Sequence, residues 1–359
     1  MSNLRFTEHA LSEWMRGSGQ DSDIVISTRV RVARNLRQLP FPLLATNQQS
    51  GEVLSILTGV IQEGLCEEGT PGFHIIHLDE LDDLDKKVLV EKHLISPNLA
   101  NESRNGAVVL NDDESISIMI NEEDHLRIQC LYPGFQVMEA WEKATELDDA
   151  FEEKLDYAFD DKRGYMTSCP TNVGTGLRAS VMMHLPALVM TQQINRILSA
   201  VSQVGLTVRG MYGEGSEALG NLFQISNQIT LGQTEHEIID NLHSVVLQII
   251  EHEKNARAKL LNDSRLRITD RVMRSYGILS YAAVMESKEA AQRLSDVRLG
   301  VDLGLLDGPS SSVMNELNVM TQPGFLQKKF GESIHPGDRD SCRAKLIRQT
   351  LSGQQQEPC

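Results

Sequence analysis

No stretch of this chain is apolar for long enough to cross a bilayer. The first eight residues, Met1 to Glu8, hold no apolar run and no cleavage pattern, so they do not read as a secretory leader. Cysteine is sparse. Cys66, Cys130, Cys169, Cys342 and Cys359 are scattered, and no pair has metal-ligand spacing. An odd, dispersed set suits a reducing compartment and predicts a cytoplasmic protein. Positive charge is also short. Against 50 Asp and Glu stand 34 Lys and Arg, a formal net charge of −16. That argues against nonspecific nucleic-acid binding, which needs a basic surface, and the same field draws cations inward. Two nucleotide-binding signatures are missing too. No Gly-Lys-Ser/Thr follows a glycine-rich loop, and the protein-kinase glycine-rich and catalytic loops are absent.

What remains is a soluble composition spread over 359 residues, enough for two domains. A short helix is expected within residues 1 to 20, capped by Thr7, with Leu11, Trp14 and Met15 as its apolar face. Strand signals follow at 24–34, 74–78, 108–110, 115–120, 128–131, 206–209 and 223–227. Amphipathic helices are expected over 48–66, 79–93 and 136–158. The acids of that last helix form a solvated face. An apolar helix should follow the loop at 167–176 and run to about 200. Thr234 and Glu237 spell a capping box that opens a long helix. Beyond about 262 the pattern is helical throughout.

The chemistry-bearing residues cluster in a few places. Ser115 to Ile120 alternates as a half-buried strand does, then gives way to Asn121-Glu122-Glu123-Asp124-His125-Leu126-Arg127. In Ile24 to Arg34, alternation puts Arg29 and Arg31 on one face. They are either two surface arginines or a pair held around a polyphosphate, whose oxygens the guanidinium fork fits. His93, at a helix end, suits a cap, a packing residue or a ligand. Thr167 to Val181 is a small-residue loop with two glycines, able to bring backbone N–H groups close to an anion. Gly210 to Glu217 reads as a mobile glycine-rich loop. In the last helix Arg339 and Arg343 lie four apart on one face beside Asp340, a trio that is either surface charge or a cradle for a phosphate bearing a cation. Taken together, Arg29, Arg31, Arg127, Arg178 and Arg209 with several carboxylates point to phosphoryl transfer, which depends on positioning and charge neutralisation.

Ser27-Thr28-Arg29-Val30-Arg31, Asn121 to Arg127, and Cys169-Pro170-Thr171-Asn172-Val173-Gly174-Thr175-Gly176-Leu177-Arg178-Ala179-Ser180 resemble the signatures of the phosphagen (guanidino) kinases. Val208-Arg209-Gly210 through Glu214, then Ile225-Ser226-Asn227, resembles that family's flexible loop and next strand. The likeness covers roughly 24–256. It departs from the creatine and arginine kinases in having only a short predicted helix before Ser27, and in adding a helical region with Arg339-Asp340-x-x-Arg343-Ala344. Those departures resemble the bacterial branch that phosphorylates arginine in proteins.

The resemblance implies an α+β fold: a catalytic domain over 1–256 with a mostly antiparallel sheet flanked by helices, then an all-helical domain over 257–359. It implies ATP with Mg²⁺, bound by Ser27, Thr28, Arg29, Val30, Arg31, His93, Arg127, Arg178, Ala179, Ser180, Arg209, Gly210, Met211, Tyr212, Gly213 and Glu214. Glu123 would orient the acceptor guanidinium and take its proton, with Glu214 as the second substrate carboxylate. Cys169 would supply negative charge, and Glu122 would lie nearer the metal's waters without binding it directly. Arg339, Asp340, Arg343 and Ala344 would bind phosphoarginine as an allosteric signal. Implied partners are proteins with exposed arginines, the heat-shock repressor CtsR, the activator McsA and a Clp ATPase or protease, with a homodimer or higher oligomer and no membrane or direct nucleic-acid contact. Two alternatives stand beside this reading: a small-molecule guanidino kinase, and a catalytically dead phosphoarginine-binding adaptor.

Overall fold

The computed structural model describes residues 5–64, 72–210, 218–331, 334–335 and 337–353. Its strands are β1 (Val25–Arg34), β2 (Phe73–His77), β3 (Ala107–Asn111), β4 (Ile116–Ile120), β5 (Leu126–Pro133), β6 (Phe159–Asp160), β7 (Gly164–Tyr165), β8 (Leu177–His184), β9 (Leu206–Gly210) and β10 (Leu222–Asn227). Eight of them form one sheet in the order β2-β3-β4-β5-β1-β8-β10-β9, and every neighbouring pair is antiparallel. β6 and β7 make a separate small ribbon.

The helices are α1 (Arg5–Glu8), α2 (Asn47–Gly64), α3 (Asp83–Glu91), α4 (Pro97–Glu102), α5 (Val137–Glu152), α6 (Pro186–Met190), α7 (Ile194–Gln203), α8 (Glu235–Tyr281), α9 (Ser287–Asp302), α10 (Ser311–Met320), α11 (Pro323–Phe330) and α12 (Arg339–Leu351). Helices α2, α5 and α8 press apolar stripes onto one face of the sheet. Val53 and Leu57, Ala140 and Leu147, and Leu242 and Val246 meet Val30, Val32, Ile118 and Ile128 there. Burying each of these valine, leucine and isoleucine side chains stabilises by about 1.5–3 kcal/mol. The opposite sheet face is covered in part by the N-terminal turns and by α3, the turn after it and α11, through Trp14, Leu89, Leu94 and Phe325 against Met119, Leu131 and Met182, and the part left over carries polar side chains.

Two expectations are corrected, and the expected domain boundary is located on a helix. The segment after Gly176 is strand β8, not a helix. Leu177, Ala179, Val181 and Met183 alternate into the core, fully buried, so the period is two. Its Ala, Met and His content imitates a helix, and tertiary burial overrides that local preference. The N-terminal segment is the single turn α1 and a 3₁₀ turn at Glu13–Met15; Thr7 lies inside α1, where it is buried, and not at the start of a longer helix. The boundary placed at 256/257 falls within α8. That helix runs on from its Thr234–Glu237 capping box and breaks at Ser264, whose φ of −145° and ψ of 25° leave the helical region.

Candidate active site

Strand register assembles the site. In β1, Arg29 stands opposite Leu131 of β5 and Ser180 of β8, and Arg31 opposite Gln129 and Arg178. Arg127 stands opposite Ala33, and Arg209 opposite Gln224 of β10. Side chains directly opposite in a sheet share a face. Following the pairs across β5, β1, β8, β10 and β9 therefore brings Arg29, Arg31, Arg127, Arg178 and Arg209 to one face, the one the core helices leave uncovered. A cleft of about 200 Å³ opens among Arg31, Arg127, Arg178, Arg209, Glu123 and Cys169.

The electrostatics are those of a cationic site awaiting an anion. Burial, then the neighbouring Arg127 and Arg178, lower Arg29 to about 10. Arg31 is pushed well below its ordinary value by burial and by Arg29, Arg127 and Arg178, with Glu122 opposing. Both remain charged at neutral pH; the lowering reflects desolvation and mutual repulsion. Arg31 also keeps a buried Nε without a hydrogen-bond partner. A polyphosphate supplies the missing acceptors and cancels the repulsion.

His93 closes one end of this face. It shares a small pocket with Ser27, Arg29, Ser180, Met182 and Gln224. Burial, then Arg29 and Arg31, hold its imidazole near 3, so the ring is neutral at pH 7. The ring packs 5.5 Å from that of Trp14, and its carbonyl accepts a 2.9 Å hydrogen bond from Gln129. Its Nε2 is buried with no partner. His93 is thus a packing residue against Trp14 that also lines the site as a neutral polar group.

The carboxylates sit at the tip of the β4–β5 hairpin. Asn121 takes a left-handed φ of 54°, which asparagine tolerates better than most residues. Its side chain is fixed to the carbonyls of Ser50 and Asn105. Glu122 is almost fully enclosed and engaged on both oxygens. Ser96 donates to Oε1 at 2.6 Å, while the Glu123 backbone N–H donates to Oε2 at 2.8 Å and Arg127 pairs with it, also at 2.8 Å. That makes Glu122 a bracket for Arg127 and for the turn. Glu123 is 37% exposed, 3.0 Å from Arg127, and lines the arginine cleft. It also lines a second cleft of about 640 Å³.

Sequence reasoning gave no role to the residues that lock this tip in place. Asp124 is fully buried and accepts 2.6 Å hydrogen bonds from Asn35 and from the Ser168 backbone, tying the tip to the loop that carries Cys169. Asn35 also receives the His125 N–H. His125 Nδ1 accepts from Leu36 N, so Nε2 carries the proton it gives to the Pro40 carbonyl. Asp124 and His125 stand within the acidic run and were visible; Asn35 and Ser168 leave no chemical mark in the sequence.

Cys169 faces the cleft with its Sγ 3.0 Å from Thr171 Oγ1. The loop bends back through Gly174 and Gly176, at φ of 114° and 66°. A Cβ on Gly174 would lie 2.2 Å from the Thr230 carbonyl, and one on Gly176 2.6 Å from that of Ala33, so only glycine fits. Since β8 follows, no helix start offers N–H groups to an anion here; the cations come from the strands.

Three other expected ATP-binding residues turn their side chains away from the arginine face. Thr28, Val30 and Ala179 are fully buried on the core face, and the Thr28 hydroxyl is spent on the Gly134 carbonyl. The alternation that pairs Arg29 with Arg31 sends their neighbours to the other side. Ser27 and Ser180 lie on the arginine face, and Gly210 ends β9 opposite Phe223. Met211, Tyr212, Gly213 and Glu214 lie outside the described residues.

The C-terminal trio is distant in sequence and differently built. Arg343 is buried, donating to the carbonyls of Thr321 and Met285 and pairing with Asp340. Arg339 has a buried Nε with no partner. Ala344 packs in the helical core with Leu279, Leu294 and Met314. These placements correct the reading of this helix as plain surface charge.

Comparison with known proteins follows the same division. Residues 52–256 match the family of the ATP:guanido phosphotransferase C-terminal catalytic domain, and residues 265–358 match the Protein-arginine kinase McsB C-terminal domain. A relative named Protein-arginine kinase, from Brevibacillus brevis, is 62% identical over 98% of both chains. The chain belongs to the protein-arginine kinases of the guanido phosphotransferase family. Among solved structures it is similar to a duplicated taurocyamine kinase from Schistosoma mansoni bound to components of a transition-state analogue, at 27% identity and TM-score 0.59. That likeness covers 66% of this chain and 34% of the duplicated one. Lombricine kinase is similar at 26% identity and TM-score 0.59, covering 68% of this chain and 70% of that one. The antiparallel sheet with flanking helices is the fold expected of the guanidino kinases, and the C-terminal helical region that follows it matches the separate C-terminal domain. No helix among the described residues is long and apolar enough to cross a membrane.

Proposed function

We propose that this kinase moves the γ-phosphoryl group of Mg–ATP onto the guanidinium of arginine side chains in proteins, giving N-phosphoarginine, ADP and a proton. The observation carrying the proposal is the face of five arginines with Glu123 at its edge. Arg29, Arg31, Arg127, Arg178 and Arg209 hold the triphosphate through charge-assisted bonds and take up charge as the phosphoryl group transfers. Neutral His93, beside Ser27 and Ser180, faces the nucleotide's other end. Mg²⁺ enters as part of the nucleotide substrate. A guanidinium is a poor nucleophile with a pKa above about 12. Glu123 aligns one nitrogen with the γ-phosphorus and takes its proton as the N–P bond forms and the bond to the β-bridging oxygen breaks. Cys169 lies where a thiolate adds negative charge beside the acceptor, and Glu214 serves as second carboxylate.

Arg339, Asp340 and Arg343 are proposed to bind phosphoarginine as an allosteric signal, with Ala344 packing their helix. Cytoplasmic location, control of CtsR, activation by McsA, delivery of marked proteins to a Clp protease, and a homodimer or larger oligomer complete the proposal. Its test is to incubate the protein with labelled ATP and an arginine-rich protein, with Glu123→Gln as control. Acid-labile, alkali-tolerant label on arginine is expected. Label only on free arginine would sink the protein-substrate reading, and no label at all would favour the adaptor.

A further inference from the structure

The larger cleft, about 640 Å³, begins at Glu123 and Ser168 and runs past Asn121, Asn98 and Glu102 to Pro42 and Leu43. That volume is within the range of pockets that enclose drug-sized ligands, about 300–1,000 Å³, and far exceeds one guanidinium. Its far lip is unusual. Leu43 is 84% exposed and Leu44 79%. Adjacent leucines at that exposure normally belong to a loose loop, but this turn is pinned. The Pro40 carbonyl accepts from His125, two residues from Glu123. Phe41 sets its ring edge-on to His125, 6.1 Å away. Leu44 N–H closes a turn on the Phe41 carbonyl, Ala45 is buried, and its carbonyl accepts from Arg104 at 2.9 Å. An apolar pair is thus held rigidly in water at the mouth of the site, across from Glu102.

We infer that this cleft seats the polypeptide segment around the target arginine, with Pro42, Leu43 and Leu44 gripping an apolar residue next to that arginine. The inference rests on the kinase acting on protein arginines. Continuity carries it: Glu123 lines both clefts, so a chain lying in the larger one can send its arginine side chain to the nucleotide side. Charge complementarity supports it, since the carboxylates lining the cleft, Glu102, Glu122 and Glu123, outnumber its one lining cation, Arg104, whose guanidinium is tied to the Ala45 carbonyl. A preformed apolar lip adds affinity without ordering a loop on binding.

Two synthetic peptides, each with a single arginine flanked either by leucine or by serine, test it on the full-length protein. The wild type should show a KM about tenfold lower for the leucine peptide, the discrimination expected of one apolar contact. Leu43→Ser combined with Leu44→Ser should erase that difference while the KM for ATP stays put; both side chains face water, so folding is unaffected. A preference that survives in the variant, or is missing from the wild type, overturns the inference while leaving the protein-kinase reading intact. Absence of phosphoarginine on both peptides and on an arginine-rich protein would instead remove that reading and this one with it. Sedimentation of both proteins covers the remaining occupant. A wild-type dimer lost in the variant would assign the lip to a second copy of the chain and refute peptide binding.

Discussion

Two groups of enclosed arginines sit in this molecule, and they are built to opposite rules. At the junction of sheet and helices, Arg257 of α8 pairs with Glu253 at 3.0 Å and Asp23 at 3.1 Å, and Asp302 of α9 stands 3.8 Å from both Arg257 and Arg298. Arg298 also donates to the Ser22 carbonyl and to Asn315. On the sheet face, Arg29 and Arg31 form no ion pair with any described carboxylate; Glu122 and Glu123 are both turned to Arg127. The first group answers its charge internally and fastens two layers. The second leaves Arg29 and Arg31 enclosed beside like charge with no ion pair to a described carboxylate, an arrangement that an outside anion would complete.

The largest effect should come from the edge of the sheet face. Glu123→Gln keeps the shape and removes the proton acceptor, so phosphoryl transfer should fall by about 10²–10⁴-fold, with ATP affinity and melting temperature nearly unchanged. Single-turnover assays and a thermal melt separate these. Retained activity would move the base elsewhere. At the junction, Arg257→Met strands Glu253 without its cation and leaves Asp302 with Arg298 alone, and breaking such a buried pair destabilises by about 3–5 kcal/mol. Denaturant unfolding measures this, and a loss below about 1 kcal/mol would place Arg257 with the solvated ion pairs.

The junction also predicts a pH dependence. Burial, against the pull of Arg298 and Arg257, raises Asp302 from 3.8 to about 6. The folded protein therefore holds this proton between about pH 4 and 6, where the unfolded chain has released it. Its contribution to stability is full below pH 4 and is lost as pH climbs to 6. Two pH units correspond to at most about 3 kcal/mol. His93 and His184, held neutral by burial, act oppositely, losing stability as pH falls below about 6.5. The Asp302 signal is thus the stability of wild type minus that of Asp302→Asn, which should fall by up to about 3 kcal/mol, to the wild type's disadvantage, as pH rises from 4 to 6. A constant difference would refute it.

How much of this was legible in sequence divides along the same line. The sheet face was, because its side chains advertise themselves: arginines at period two in β1, and Glu122 and Glu123 after an alternating strand. The capping box at Thr234 and the helical C-terminal region were equally plain, since local chemistry fixes both. The junction was not, because Asp23, Glu253, Arg257, Arg298 and Asp302 come from three separated segments and look like ordinary surface charge. The same holds for Asn35 and Ser168, which matter only through Asp124. β8 failed for a related reason: Ala179, Met182 and Met183 favour a helix locally, and the pairing with β1 and β10 that makes them a strand is set by contacts no local window contains.

The sharpest test of the comparison swaps one change between the two groups. Arg31→Met on the sheet face is chemically the same substitution as Arg257→Met at the junction. It deletes charge-assisted bonds to phosphate, worth about 1.5–3 kcal/mol, so the Kd for ATP should rise roughly 10- to 150-fold by calorimetry. Without nucleotide, however, it removes a guanidinium that burial and three neighbouring arginines disfavour. The unliganded variant should therefore melt at the wild-type temperature or slightly above it, where Arg257→Met melts far below. With saturating ATP the order reverses, because the wild type gains more from its tighter ligand. If Arg31→Met instead destabilised the unliganded protein as much as Arg257→Met, the sheet-face arginines would be structural, and the two groups would obey one rule.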